Sequence, residues 1–162
     1  MLSKTMEKAL NEQINKEMFS SYLYLAMSAY LSTQYLEGFA KFFKVQSQEE
    51  MGHAMKLFGY INERGGQVVL DKIDKPQTNY KDIEEIFAQT LEHEKFITKS
   101  IHALVELAIQ EKDHASKNFL DWYVNEQVEE EANMDNWLAK IKMVGNKGQA
   151  LIMLDVHAGQ RG

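Results

Sequence analysis

Residues 77–144 read QTNYKDIEEIFAQTLEHEKFITKSIHALVELAIQEKDHASKNFLDWYVNEQVEEEANMDNWLAKIKMV and contain neither glycine nor proline. Alanine, leucine, glutamate, glutamine and lysine, which favour helices, are frequent in this stretch. As one helix it would be about 100 Å long at ~1.5 Å per residue, which is too long for a compact domain. We therefore predict two helices, at about 82–110 and 115–144, joined by a turn at Lys112-Asp113-His114 and stopped by Gly145.

Glycine and proline are also scarce near the start of the chain, where we predict two more long helices at about 4–34 and 39–64. Ser3 precedes the first of these helices as an N-cap, and Gly65-Gly66 ends the second. A short apolar segment predicts a fifth helix at 147–157. No alternating run of β-branched residues bounded by turns predicts a strand.

The lengths of the connections predict how the four long helices are arranged. Short links make the first two helices, and likewise the next two, antiparallel neighbours. The link from Gly65 to Lys81 contains Pro76, the only proline, and when extended it reaches about 50 Å, the full length of a helix. We predict an all-α four-helix bundle with one long crossover plus a short C-terminal fifth helix, as a single domain over residues 1–162.

Composition and charge exclude several classes of protein. The 162 residues include 18 Lys+Arg against 24 Asp+Glu, a net charge of −6 without a basic cluster, which argues against a nucleic-acid partner. The absence of cysteine excludes thiolate metal sites, iron–sulfur clusters and a cysteine nucleophile. The start of the sequence lacks a signal peptide, and no apolar stretch approaches the roughly 20 residues that span a bilayer. We therefore expect a cytoplasmic protein without a membrane partner.

Each long helix carries a seam of residues at alternating spacings of four and three, which is typical of the buried face of a bundle helix. The seams run from Leu10 to Leu31, from Phe39 to Tyr60, from Ile83 to Leu104 and from Leu120 to Ile141. Near their midpoints they carry carboxylate, amide and imidazole groups: Glu17, Glu50, His53, Glu94, Gln127 and Glu130. Up-and-down packing is expected to bring these groups to one height of the bundle.

The polar seam residues also repeat at an interval of 77 positions. The related pairs are Glu17 and Glu94, Glu50 and Gln127, and His53 and Glu130. We infer two copies of a helical hairpin, related by an approximate two-fold axis that passes through the polar cluster.

Four ionised carboxylates in an apolar interior would cost several kcal/mol each. They are protonated, paired with Lys or Arg, or bound to cations, and no seam position carries Lys or Arg. Two divalent ions would balance the four negative charges, and ligation by carboxylate and imidazole without sulfur suits iron or manganese, with zinc also admitted by affinity. The spacing Glu50-x-x-His53 places both side chains on one helical face, although an exposed pair is the structural alternative.

Four segments of the sequence form a distinctive set. They are Asn11-Glu12-Gln13 with Glu17 and Ser20-Ser21-Tyr22-Leu23-Tyr24; Gln48-Glu49-Glu50-Met51-Gly52-His53; Glu92-His93-Glu94; and Phe119-Leu120-x-Trp122-Tyr123-Val124-x-Glu126-Gln127-x-Glu129-Glu130-Glu131. Together they strongly resemble the bacterial and archaeal non-haem ferritins. The resemblance extends over nearly the whole chain, including the crossover and the short final helix.

The resemblance implies a di-iron ferroxidase centre. Glu17, Glu50 and His53 would hold one iron. Glu50 would bridge to a second iron held by Glu94 and Glu130. By the same resemblance, Gln127 would hydrogen-bond to the ligands or to oxygen species.

The resemblance also implies features around this centre. Glu49, Glu126 and Glu129, joined by Glu130, match a third iron site, and their alternative reading is a solvated acidic face. Tyr24 matches a tyrosine that supplies an electron, with a core aromatic as the alternative. Trp122 resembles a neighbouring aromatic, for which packing is the alternative.

In function, the resemblance implies oxidation of Fe(II) by O₂ or H₂O₂ and deposition of a ferric oxyhydroxide mineral. The mineral would lie inside a hollow homo-oligomeric shell, usually of 24 copies, with the last helix near a shell axis. That helix is too short to be stable alone, so its apolar face needs a partner.

The sequence departs from two related patterns. Haem-containing bacterioferritins have a second Glu-x-x-His where this chain has Gln127-x-x-Glu130. We therefore expect no haem, although Met51 falls where those proteins place their haem-ligating methionine. The acidic iron-uptake funnel of animal ferritins is replaced by Ser116, Lys117 and Leu120.

Two other functions remain open on the sequence. One is a di-iron enzyme that oxygenates an organic substrate and would need an apolar pocket beside the metals. The other is a structural or binding bundle whose seam carboxylates are protonated. Rubrerythrin-like peroxidases need an additional iron domain with cysteine ligands, which this chain cannot supply.

Overall fold

The computed structural model describes residues 1–161 as five helices, with no strand in that range. They are α1 (Lys4–Thr33), α2 (Glu37–Glu63), α3 (Ile83–Gln110), α4 (His114–Val144) and α5 (Gln149–Ala158). The all-α fold class is confirmed, and each helix begins and ends within two residues of its predicted bounds. Gly162, the last residue of the predicted domain, lies outside the described residues. Within 1–161, no helix has both the length and the apolar character that a membrane crossing requires.

Local signals in the sequence set most of the helix ends. The side chains of Ser3, Asp82 and Asp113 each accept a hydrogen bond from the backbone N–H three residues further on, as N-caps do. Lys112 adopts a left-handed conformation (φ 58°) in the turn between α3 and α4. Gly145, with φ 80°, ends α4, because a positive φ is tolerated best by glycine.

The crossover between α2 and α3 runs along α1 and is fastened to it by side-chain hydrogen bonds. Asn11 donates to the carbonyl of Gln67 (2.9 Å) and accepts from the N–H of Val69 (2.7 Å). Further along α1, three more contacts follow: Asn15 Nδ2 donates to the carbonyl of Lys72 (2.8 Å), and Tyr30 Oη donates to the carbonyl of Tyr80 (2.6 Å) and stacks edge-on against its ring. The crossover thus returns the chain to the end of the bundle where α2 began, as its length predicted.

The helices pack as two antiparallel hairpins, α1 with α2 and α3 with α4, and α1 also contacts α3. Every predicted seam position is buried except Trp137, the seam residue between Met134 and Ile141. Trp137 is partly exposed but packs against the rings of Phe39 and Phe42, and the adjacent Leu138 is buried as well. The buried apolar side chains form two clusters. One includes Leu31, Phe39, Phe43, Phe87 and Ile141, and the other includes Leu10, Ile14, Leu57, Ile101 and Leu120. Because the clusters occupy opposite ends of each long helix, the middle of the bundle is left to polar residues.

The short helix α5 packs closely against α2 and also contacts α4. A Cβ atom added to Gly38 would lie 1.7 Å from the carbonyl oxygen of Asp155, so only glycine permits this approach. The Asp155 carboxylate accepts a hydrogen bond from the N–H of Phe39 (2.8 Å), in the first turn of α2. It supplies the cap that Leu36, at the N-cap position, has no side chain to provide.

Candidate metal centre

Five predicted ligand side chains lie together between the two apolar clusters. Glu17 comes from α1, Glu50 and His53 from α2, Glu94 from α3 and Glu130 from α4, and all five are at most 6% exposed. Their ligand atoms form two groups, Glu17–Glu50–His53 and Glu50–Glu94–Glu130, and within each group the atoms lie within 4.8 Å of one another. The structure therefore places Glu50 between two three-residue sites.

Three glutamine side chains donate hydrogen bonds to the three ligand carboxylates other than Glu50. Gln13 donates to Glu17 (2.9 Å), Gln46 to Glu130 (2.7 Å), and Gln127 to Glu94 (3.0 Å). Gln127 was predicted to play this part, whereas no role was predicted for Gln13 or Gln46. The spacing of four residues between Gln13 and Glu17 on one helix was the available signal.

Two carboxylate oxygens in the centre, Oε2 of Glu17 and Oε1 of Glu50, are buried and have no hydrogen-bond partner within residues 1–161. Burial raises the pKa of Glu17 to about 7, against the opposing hydrogen bond from Gln13. Burial, with the charges of Glu94 and Glu17, raises the pKa of Glu50 well above its ordinary value. Unsatisfied buried oxygens are rare in folded proteins, and bound cations are one way to satisfy them.

Glu94 and Glu130 share the other side of the centre. Burial raises the pKa of Glu130 to about 8, and the nearby charge of Glu94 adds to the effect. Burial also raises the pKa of Glu94, while hydrogen bonds from Tyr24 and Gln127 lower it. The Tyr24 hydroxyl, fully buried, donates to Oε1 of Glu94. Tyr24 therefore touches a predicted ligand directly, and its role as an electron donor stays a prediction.

His53 is suited to bind a cation because its ring is neutral. Burial, assisted by the charge of Lys56, lowers the pKa of His53 to about 4. Nδ1 lies 3.1 Å from Oε2 of Glu50, and Nε2 lies 3.7 Å from Oε1 of Glu126. The ring of Trp122 packs edge-on against the imidazole, and the ammonium of Lys56 lies 3.4 Å from the centre of the indole ring. Trp122 is therefore a packing neighbour of a candidate ligand.

The three residues of the predicted third iron site lie on the outer side of this centre. Glu49 and Glu129 are exposed, and Glu126 is partly buried. Burial, with the charges of Glu129 and Glu49, raises the pKa of Glu126. These carboxylates are not part of either compact ligand group found within residues 1–161, and Glu49 is paired with Arg161. The third site stays a prediction.

The positions that replace the acidic funnel lie at the start of α4. Ser116 and Leu120 are both fully buried. Lys117 pairs with Asp121 (2.8 Å) on the same helix. The Ser116 hydroxyl contacts the Tyr60 hydroxyl at 2.9 Å, in a network that includes Arg64 and Asp113. This end of α4 is packed into the bundle.

Comparison with known proteins agrees with this fold. A family model described as a ferritin-like domain matches residues 7–144. The bacterial non-heme ferritin of Campylobacter jejuni is 46% identical over 97% of this chain and 94% of its own length. That of Bacteroides fragilis is 45% identical over 99% and 100%. The crystal structure of a ferritin described as open-pore, from the archaeon Archaeoglobus fulgidus, matches with a TM-score of 0.99 and 45% identity, covering 100% of this chain and 99% of that chain.

Proposed function

This chain belongs to the ferritin family, and we propose that it stores iron by oxidising Fe(II) at the paired site and depositing Fe(III) as a mineral. The observation that carries the proposal is the position of Glu50, which belongs to both ligand groups and has a buried oxygen without a hydrogen-bond partner in the part of the chain that the structure describes. A single shared carboxylate is the arrangement needed to hold two substrate ions side by side.

In this proposal Glu17, Glu50 and His53 bind one ferrous ion, and Glu50 with Glu94 and Glu130 binds the other. The four carboxylates neutralise two divalent ions, so the occupied centre carries no net charge in a low-dielectric interior. Oxygen and nitrogen ligands without sulfur suit ferrous iron. Three protein ligands at each ion leave room in its coordination shell for the oxidant.

Binding of the substrate ions is coupled to protons in the centre. With pKa values of about 7 and 8, Glu17 is partly protonated and Glu130 largely protonated near neutral pH when no cation is bound. Divalent ions displace these protons, because a ligand must be deprotonated to bind. The pair of ferrous ions together supplies two electrons. With two protons, these electrons reduce O₂ to H₂O₂, or H₂O₂ to two molecules of water.

We further propose that the mineral is enclosed by a shell of 24 copies. The exposed face of α5 supports an assembly, since Ile152, Met153 and Val156 are each more than 60% exposed. Three neighbouring apolar side chains on a ten-residue helix are expected to be covered by other subunits.

The test is the addition of Fe(II) in air to metal-free protein, with absorbance of Fe(III) and size measured before and after loading. Rapid oxidation with hundreds of irons retained per assembly supports the proposal. Oxidation without retention indicates an enzyme with another substrate, and no oxidation indicates a structural bundle.

A variant of Glu50 tests whether Fe(II) is oxidised at this centre. In Glu50→Ala both ligand groups lose a member, so we expect fast oxidation to disappear while the assembly still forms. Glu12→Ala, at an exposed position of α1, is the matched control and should oxidise Fe(II) as the unmodified protein does. Unchanged initial rates in Glu50→Ala would refute the role of Glu50.

A further inference from the structure

Arg161, three residues after the end of α5, reaches back to the outer side of the metal centre. Its Nη1 donates to Oε1 of Gln46 (2.6 Å), and its Nη2 donates to Oε2 of Glu49 (2.5 Å). The guanidinium carbon lies 4.5 Å from the centre of the Phe42 ring. These three contacts are all with α2, and the Arg161 side chain is 28% exposed. The guanidinium is therefore held from several sides at the rim of the bundle.

The backbone before Arg161 is positioned by the docking of α5. Ala158 is buried, and a Cβ atom on Gly159 would lie 3.0 Å from the Cα of Gly38. The N–H of Arg161 donates to the carbonyl of Ala158 (3.3 Å), which continues the turn after the helix. The close fit of α5 on α2 thus places the arginine beside Glu49.

The arginine also determines which way the buried Gln46 side chain points. Because Oε1 of Gln46 accepts from Arg161, its Nε2 is directed to Glu130, to which it donates at 2.7 Å. A reversed amide would bring two donors, from Arg161 and Gln46, face to face and two acceptors, Gln46 and Glu130, together. Arg161 is thereby linked to a candidate ligand through one fully buried amide.

We propose that Arg161 is a built-in cation that competes with a third metal ion for Glu49 and orients Gln46 toward Glu130. A divalent ion can use Glu49 only after the guanidinium has left it. The two sites inside the bundle therefore fill before the outer one. The inference rests on the proposed function, since it concerns how that centre is filled.

The test is a calorimetric titration of metal-free protein with Co²⁺, which is not oxidised under these conditions. We expect the unmodified protein to bind two ions tightly and a third weakly. In Arg161→Gln the third ion should bind about tenfold more tightly, because a unit positive charge next to a divalent ion in a partly exposed site is removed. In Arg161→Lys, which keeps the charge, the third ion should stay weak.

Two controls separate this effect from general changes in charge or fold. Lys44→Gln removes the same charge from an exposed position of α2 and should leave the titration unchanged. Adding Glu49→Gln to Arg161→Gln should abolish the gain. Equal third-ion affinity in Arg161→Gln and the unmodified protein would overturn the inference. If the unmodified protein binds no two ions tightly, the proposed function is overturned instead. The two outcomes are distinguishable because the tight and the weak ions are read from separate parts of the same isotherm.

Discussion

Replacing Glu17 with glutamine is expected to change how the stability of the metal-free protein depends on pH. Folding raises the pKa of this carboxyl from 4.5 to about 7. Such a group does not destabilise the fold below pH 4.5, where it is protonated in both the folded and the unfolded chain. Between pH 4.5 and about 7 the carboxyl is ionised in the unfolded chain but still protonated in the folded one, so the fold loses stability over this range and the loss is complete above it.

The magnitude follows from the size of the shift. A difference of about 2.5 pKa units corresponds to roughly 3 kcal/mol at about 1.4 kcal/mol per unit. For a chain of this length, 1 kcal/mol changes the melting temperature by about 2–4 °C. Glu17→Gln should therefore melt roughly 6–12 °C above the unmodified protein at pH 8 in the absence of metal, and close to it at pH 5.

The assay is thermal unfolding of chelator-treated protein, monitored by circular dichroism, at several pH values between 5 and 8. Comparing the two proteins at each pH cancels the contribution of His53, whose lowered pKa acts in the opposite direction. Glu12→Gln changes the net charge equally at an exposed position of α1 and should follow the unmodified protein. Co²⁺ at pH 8 should stabilise the unmodified protein more than Glu17→Gln, which has lost a ligand.

A difference in melting temperature between Glu17→Gln and the unmodified protein that stays constant across this pH range would refute the reasoning. That result would mean that the Glu17 carboxylate is ionised in the interior without cost. The unsatisfied oxygen of Glu17 would then give no reason to expect a cation beside it.

Two further predictions concern the hydrogen bonds around the metal centre and the docking of α5 on α2. Tyr24→Phe removes a hydrogen bond to Glu94, and because bonds to charged groups contribute about 1.5–3 kcal/mol, one of the two tightly bound Co²⁺ ions should be held at least about tenfold more weakly; two unchanged affinities would contradict this. Gly38→Ala forces a Cβ against the Asp155 carbonyl, so we expect a lower melting temperature and faster proteolysis within α5. Gly59→Ala, also in α2 but where an added Cβ meets nothing within 4 Å, should instead stabilise α2 by about 0.5–1 kcal/mol. Equal shifts in the two alanine variants would count against the close docking of α5.

The helices and their seams were predictable because the signals that set them act over a few residues. Caps such as Ser3 and Asp113 bond to amides three positions away, and a turn residue such as Gly145 needs only its own backbone angles. The seam on α4 shows the limit of the pattern. A strict alternation of four and three has a period of 3.5, whereas a straight helix has 3.6 residues per turn. The buried face of α4 therefore also includes Leu138, which the pattern omits, beside the partly exposed Trp137.

The candidate ligands could be found because the bundle topology brings mid-seam positions together. The contacts that arrange their surroundings could not, since they join residues far apart in the chain. Arg161 and Gln46 are 115 positions apart, and the docking of α5 that brings them together depends on Gly38. Neither the spacing nor the periodicity of residues in the sequence indicates that two positions so far apart in the chain are in contact.

The division of the core into two apolar ends has a consequence for the speed of metal uptake. Each end is packed by its own set of side chains, so the backbone is braced above and below the charged layer whether or not ions are present. In the proposed function, incoming ions then meet candidate ligand atoms that already lie within 4.8 Å of one another in each group, so little reorganisation is needed before the ions bind. Uptake at such a preorganised centre should be governed by how quickly ions diffuse to it and how quickly protons leave.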